Sequence, residues 1–169
     1  MATETSTTVE EQTLTDSEQK WLGPRGMVAM LLGFWALWFT TVFLTNFFDG
    51  LAEMGIIGEG WTFRSGNYLF LVDVMNTHST PETIVGIVFA IGVIWELAAA
   101  GLLWWAFAGF LSGNGSKERM YAAMLVAVGF FAGFLVLTEV FMAYGLADTH
   151  VRLIVATLVS AFVIDRWWE

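Results

Sequence analysis

Apolar positions run through this chain in four long blocks, separated by polar stretches of unequal length. The blocks cover roughly residues 27–48, 84–111, 120–144 and 151–166. Each can cross a bilayer as a helix, because about 20 apolar residues match a hydrocarbon core of about 30 Å. The second is longer than a crossing needs, so it has length to tilt or protrude. The fourth has a short apolar core, followed by Trp167 and Trp168 as interfacial anchors. The pattern predicts an all-α membrane protein, an antiparallel bundle of four transmembrane helices.

The polar stretches divide the chain further. Residues 1–20 are rich in Thr, Ser and Glu and hold five acids, Glu4, Glu10, Glu11, Asp16 and Glu18. They are expected to form an acidic, disordered tail, and they lack the basic start of a signal peptide. Residues 21–169 form the membrane domain. The link 145–150 is tight, and Ser112 to Arg119 is a polar glycine loop. The first link, about 49–83, is long and is expected to be an ordered loop over the outer face. Its apolar stretch Asn67 to Met75 is too short to cross a membrane. It reads as a strand or a short helix, and periodicity does not decide between them. Long loops in compact proteins often carry function.

Composition fits the pattern: 57% of residues are hydrophobic, 14% are charged, and mean hydropathy is +0.67. The absence of cysteine excludes disulfides, thiolate metal sites, iron–sulfur clusters, c-type haem attachment and disulfide-exchange catalysis. A net charge of −9 argues against nucleic acid as a partner. Lys20, Arg25, Lys117, Arg119 and Arg166 fall on one side of the predicted bundle, and Arg64 and Arg152 on the other. This asymmetry puts both termini in the cytoplasm and the long first loop outside. Trp21, Trp104, Trp105, Trp167 and Trp168 would form the cytoplasmic aromatic belt. The expected location is the plasma or inner membrane.

Two spans carry a glutamate, which is costly at membrane depth and marks a partner or a function. Glu96 lies about 18 Å from the outer end of the second span, and Glu139 about 8 Å from that of the third, at 1.5 Å per residue. Asn46 and Asp49 end the first span, Asp73 and His78 lie in the loop, and Arg152 begins the fourth span within reach of Glu139. Three readings of this polar set stay open. Glu96, Glu139, Asp73 and His78 could hold a metal ion, since carboxylates with imidazole suit iron, manganese or zinc. The glutamates could relay protons or bind a polar head group such as that of a quinone. Or both are structural, with Glu139 paired to Arg152. His150 is expected to flank the fourth span. Asp165 and Arg166 read as an end pair. Gly129 and Gly133 on the third span, and Gly86 and Ala90 on the second, are small-residue steps that let helices approach closely. Contact within the bundle is favoured over dimerisation for them.

The sequence also resembles a known family. "N..D" closing the first span, then "NYLFLVDVMNTHSTP", a glutamate in the second span and "E.FMAYG" closing the third are similar to the bacterial "predicted small integral membrane protein" family (domain of unknown function 2165). Asn67, Phe70, Val74, Ser79 and Thr80 fit its outer-loop stretch, and Glu139, Phe141 and Met142 fit its third-span stretch. The family histidine falls on Asp73 and the family aspartate on His78, and the tryptophans flanking its glutamate are Val140 and Ala143 here. The resemblance implies a four-span protein of this length and carries no activity with it.

The favoured expectation is a non-enzymatic accessory or scaffold subunit of a larger membrane assembly, of respiratory or photosynthetic type. Its partners would be lipid and other membrane subunits or a second copy. The alternative is a metal- or quinone-binding membrane protein working at its outer face, and a further one is a proton-coupled transporter.

Overall fold

The computed structural model describes residues 23–58 and 60–168; the expected acidic tail and Trp21 lie outside them. The described residues form five α-helices: α1 (Pro24–Glu53), α2 (Asn67–Met75), α3 (Glu82–Leu111), α4 (Lys117–Val140) and α5 (Ala147–Arg166). All but α2 are long and apolar enough to cross a membrane. The protein is an all-α, multi-pass membrane protein. The link between α1 and α3 folds into α2 and a short 3-10 turn, Asn76–His78, so the ambiguous stretch is a helix. We call the end carrying α2 the loop end.

In lipid the hydrophobic effect does not drive helix association, so close packing and interhelical hydrogen bonds must. The side chains arrange accordingly. On α1 the inward residues are Val28, Leu32, Trp35, Phe39, Val42, Asn46 and Asp49. Steps of four and three repeat without a break, which is the 3.5-residue seam of helices that wrap one another. On α3 the same rhythm runs from Val85 through Glu96, Ala99, Leu103 and Ala106 to Phe110. On α4 it links Met120, Met124, Ala127 and Phe131 to Thr138, and on α5 it links His150, Leu153, Thr157, Ser160 and Ile164. α1 packs chiefly on α3, α3 on α4, and α4 on α5; α1 and α5 meet over a shorter stretch. Outward positions such as Leu125 and Phe162, both more than 70% exposed, carry large apolar side chains suited to lipid.

The two halves of the bundle differ. Away from the loop end, small residues at zero exposure (Ala36, Ala99, Ala106, Ala123, Ala127) bring backbones together around Trp35, Phe39 and Phe131. Phe39 meets Phe130 and Phe131 at 5.6 and 5.5 Å between ring centroids, in edge-on and tilted contacts. The Gly115 turn seals this end: a Cβ there would stand 2.9 Å from the Gly109 carbonyl carbon and the Phe110 nitrogen. In the half nearer the loop, the seams turn polar and the packing opens into a cavity.

Several expectations need correction. α1 does not end at Asn46 and Asp49 but continues to Glu53, because both side chains face the bundle and find partners there. α4 ends at Val140, where Met142 takes a left-handed conformation (φ +53°), and α5 starts at Ala147, which puts His150 in its first turn. Gly129 and Gly133 form the expected groove. Its occupant is Trp95 of α3, whose indole lies 3.3 Å from a Cβ built at Gly129 and donates to the Val126 carbonyl at 3.1 Å. Gly86 and Ala90 do not make the expected helix contact: Ala90 is exposed, and a Cβ on Gly86 would meet nothing within 4 Å.

Candidate functional site

Glu96 occupies a seam position of α3, about 21 Å from Glu82 at 1.5 Å per residue, and is 2% exposed. Its Oε1 accepts a hydrogen bond of 2.6 Å from Asn46 Nδ2 of α1. Asn46 Oδ1 in turn accepts from Asn67 Nδ2 at 2.8 Å. The chain of amides thus runs from the start of α2 down to the carboxyl, with every donor pointing towards Glu96. Its other oxygen, Oε2, is buried and has no hydrogen-bond partner among the described residues. A buried polar atom left unpaired is rare and calls for an explanation.

Asp49, one turn further along α1 and 1% exposed, holds the loop in place. Its Oδ2 accepts from the Tyr68 backbone N–H at 2.8 Å and from Ser65 Oγ at 3.2 Å. The carboxyl therefore caps the N-terminus of α2 from a neighbouring helix, where its charge also complements the helix dipole. The Tyr68 phenol is held above its ordinary pKa by burial and then by the nearby carboxylates of Glu82 and Glu53. At the far end of the loop, His78 Nε2 lies 2.8 Å from the Val140 carbonyl and straps the 3-10 turn to the end of α4.

The facing wall belongs to α4 and α5. Thr138, buried at 3% exposure, donates its hydroxyl to the Phe134 carbonyl at 2.9 Å. His150 stacks on the Phe134 ring (5.6 Å, 22°), and its Nδ1 lies 3.3 Å from Thr138 Oγ1. The direction of the Thr138–His150 contact is set by the imidazole tautomer.

Between the walls lies a cavity of about 310 Å³, within the range of small-molecule sites. Its lining is mainly apolar and aromatic, with Phe89, Phe130, Phe134 and Phe141 among the rings. Asn46, Asn67, Glu96, Thr138 and His150 are among its polar lining residues. An apolar cavity with a few convergent polar groups is the general form of a ligand site.

The structure brings together only part of the predicted polar set. Asn46 and Glu96 meet, and Asp49 supports them through α2. Glu139 and Asp73 are exposed, and His78 is bound to a backbone carbonyl, so Glu96, Glu139, Asp73 and His78 do not converge. Among the described residues no three His, Cys, Asp or Glu side chains are grouped to hold a metal ion. Arg152 pairs with Asp148, one turn before it, at 2.6 Å rather than with Glu139. Asp165 pairs with Lys117 at 3.1 Å and accepts from Tyr121 at 2.6 Å, rather than pairing with Arg166. Arg152 takes the partner one turn away on its own helix, whereas Asp165 of α5 is taken by Lys117 and Tyr121 of the neighbouring α4. Sequence reading missed Asn67 and Thr138 as site residues and took His150 for a flanking group. The 3.5-residue spacing that puts Thr138 and His150 on inner seams was the available signal. Comparison with protein-family models, curated proteins and solved structures finds no match.

Proposed function

We propose that this protein is a membrane subunit that binds a small lipid-phase molecule in the cavity between α1, α3, α4 and α5. One observation carries the reading: Glu96, a buried carboxyl with an unpartnered oxygen, is among the residues that line a ligand-sized aromatic cavity. A scaffold carboxyl would be fully satisfied by its neighbours, since half-satisfied buried polar groups destabilise a core.

A second reading, the accessory subunit of a respiratory or photosynthetic type of assembly, draws on a different surface. Gly86 and Gly101 of α3 face open space beside the exposed Ile94 and Leu97, an apolar outward face where a neighbouring helix could approach. The two readings are compatible, and a ligand-binding subunit of a larger assembly satisfies both. Lysine and arginine placement supports a plasma- or inner-membrane protein with cytoplasmic termini, which puts the loop end outside. Membership of the small integral membrane protein family is part of this proposal and assigns no ligand.

The test is solvent extraction of the chain purified in mild detergent, with mass spectrometry of what it releases. Gly92 lines the cavity, and a Cβ there would lie 3.8 Å from the Phe134 ring, so Gly92→Leu fills the space. The expected result is one small molecule per wild-type chain, absent from folded Gly92→Leu. Equal recovery from both would remove the cavity from the account.

A further inference from the structure

We infer that Met54, Ile56, Trp61 and Phe63, in the link between α1 and α2, form a lipid-binding patch seated where the hydrocarbon core meets the headgroups at the loop end. The link is then part of the membrane surface rather than a loop in water, and its partner is the bilayer itself. Nothing in this depends on the cavity.

The backbone sets the depth. α1 has 30 residues, about 45 Å at 1.5 Å per residue, against a hydrocarbon core of about 30 Å. Its apolar run starts at Met27, and about 20 residues from there reach the neighbourhood of Asn46. The last turns of α1 therefore rise through the headgroups. After Glu53 the chain reverses: Gly55 takes a left-handed conformation (φ +70°), and the Ile56 N–H donates to the Leu51 carbonyl at 2.9 Å. The chain then comes back down beside α1, until the Ser65 N–H donates to the Thr45 carbonyl at 3.2 Å. Thr45 lies about 12 Å below Glu53 along the helix. The link thus returns to the level at which the apolar run of α1 ends.

The side chains give the same depth independently. Trp61 and Phe63 pack on Phe48 of α1, at 5.2 and 6.1 Å between ring centroids. Phe48 meets Phe47 at 5.8 Å, and Phe47 stacks on Phe43 at 5.6 Å. These rings make one apolar face, continuous with the outward side of α1, where Phe47 is exposed. On it Met54 is 73% exposed, Ile56 62%, and Trp61 and Phe63 46% each. A contiguous exposed apolar cluster marks a contact surface, and continuity with a lipid-facing helix makes lipid the contact. The polar groups suit that setting. Trp61 donates its indole N–H to the Phe63 carbonyl at 3.1 Å, so its ring can rest on acyl chains with no donor unpaired. Arg64 pairs with Glu53 at the end of α1, at 3.4 Å, on the headgroup side of the rings. Between those two residues the sequence carries a single charge, Glu59. Tryptophan among apolar neighbours is the common anchor at a membrane interface.

The chain has no cysteine, so a single introduced one carries a nitroxide spin label without background. Ile56→Cys and Phe63→Cys, each in the full chain in phosphatidylcholine liposomes, are compared with two references. Leu125→Cys reports the outward, lipid-facing side of α4, and Asn114→Cys the exposed polar loop between α3 and α4. Power-saturation spectroscopy measures collisions with oxygen, which concentrates in hydrocarbon, and with a water-soluble nickel chelate. The expected ratio of oxygen to nickel collisions at both positions is several-fold above that at Asn114 and shifted towards that at Leu125. If Phe63→Cys does not fold, Met54→Cys, at the most exposed of the four positions, takes its place. A ratio equal to that of Asn114 at either position puts the link in water and overturns the inference. The cavity reading is untouched by either result, since solvent extraction tests it separately.

Discussion

Replacing Asn46 by leucine removes the one hydrogen bond that Glu96 receives, at 2.6 Å between two side chains that are 6% and 2% exposed. Glu96 would then be a buried carboxyl with both oxygens unpaired. Hydrogen bonds to charged groups contribute about 1.5–3 kcal/mol in soluble proteins. Interhelical ones in a membrane protein average about 0.6 and reach about 1.7 kcal/mol. This bond is short and fully buried, so we place its coupling near the upper membrane value, about 1.5 kcal/mol. Asn46→Leu should destabilise by about 2 kcal/mol. Glu96→Leu should cost less, because the Asn46 amide keeps its bond to Asn67 near the loop. The double variant should return close to wild type, since replacing both partners of a buried polar pair with apolar groups is nearly neutral. Unfolding in mixed micelles, titrated with a denaturing detergent and followed by tryptophan fluorescence, measures all three against wild type. Losses that simply add would refute the reasoning, because the two residues would then not be acting on one another.

Other expectations are local. Asp49→Ala removes the acceptor for Tyr68 N–H and Ser65 Oγ; amide exchange should accelerate across residues 65–75 by an amount matching a lost cap of about 1 kcal/mol, with α3 to α5 unchanged. Gly115→Ala pushes a methyl into the Gly109–Phe110 backbone and should destabilise by about 1–3 kcal/mol in the same micelle titration, whereas Gly86→Ala, facing open space, should leave the midpoint where it was. Arg152→Ala should leave the midpoint unchanged as well, since its pair with Asp148 is exposed on both sides and such pairs contribute little.

Much of the fold was legible because membrane spans announce themselves by length. Four apolar runs gave four helices, and the tight and glycine-rich links fell where the chain turns. Span ends were harder. Asn46 and Asp49 look like a helix terminus because polar residues usually mark one, yet here they sit on an inner seam and are satisfied by α3 and α2. The site was half legible. Glu96 stood out as a charge in lipid, but its partner could not be chosen among Asn46, Glu139 and the loop residues without the crossing geometry of α1 and α3. Glu139 and Arg152 looked like a pair from their positions beside a tight turn; Asp148, one helical turn from Arg152, was nearer. Thr138 and His150 became site residues only once the 3.5-residue seams were laid side by side. His150 falls on the same seam as Thr157 and Ser160, four and three residues apart from the next inward position, and that rhythm is written in the sequence.

The most direct test of the central claim is a density map of the protein purified with its own lipids, read at the Glu96 carboxyl. The account predicts a compact feature between Glu96 and His150, within hydrogen-bond distance of Oε2 and flanked by Phe89 and Phe134. A map in which Oε2 is bonded to a protein group, or in which the helices close the space between Gly92 and Phe134, would contradict it.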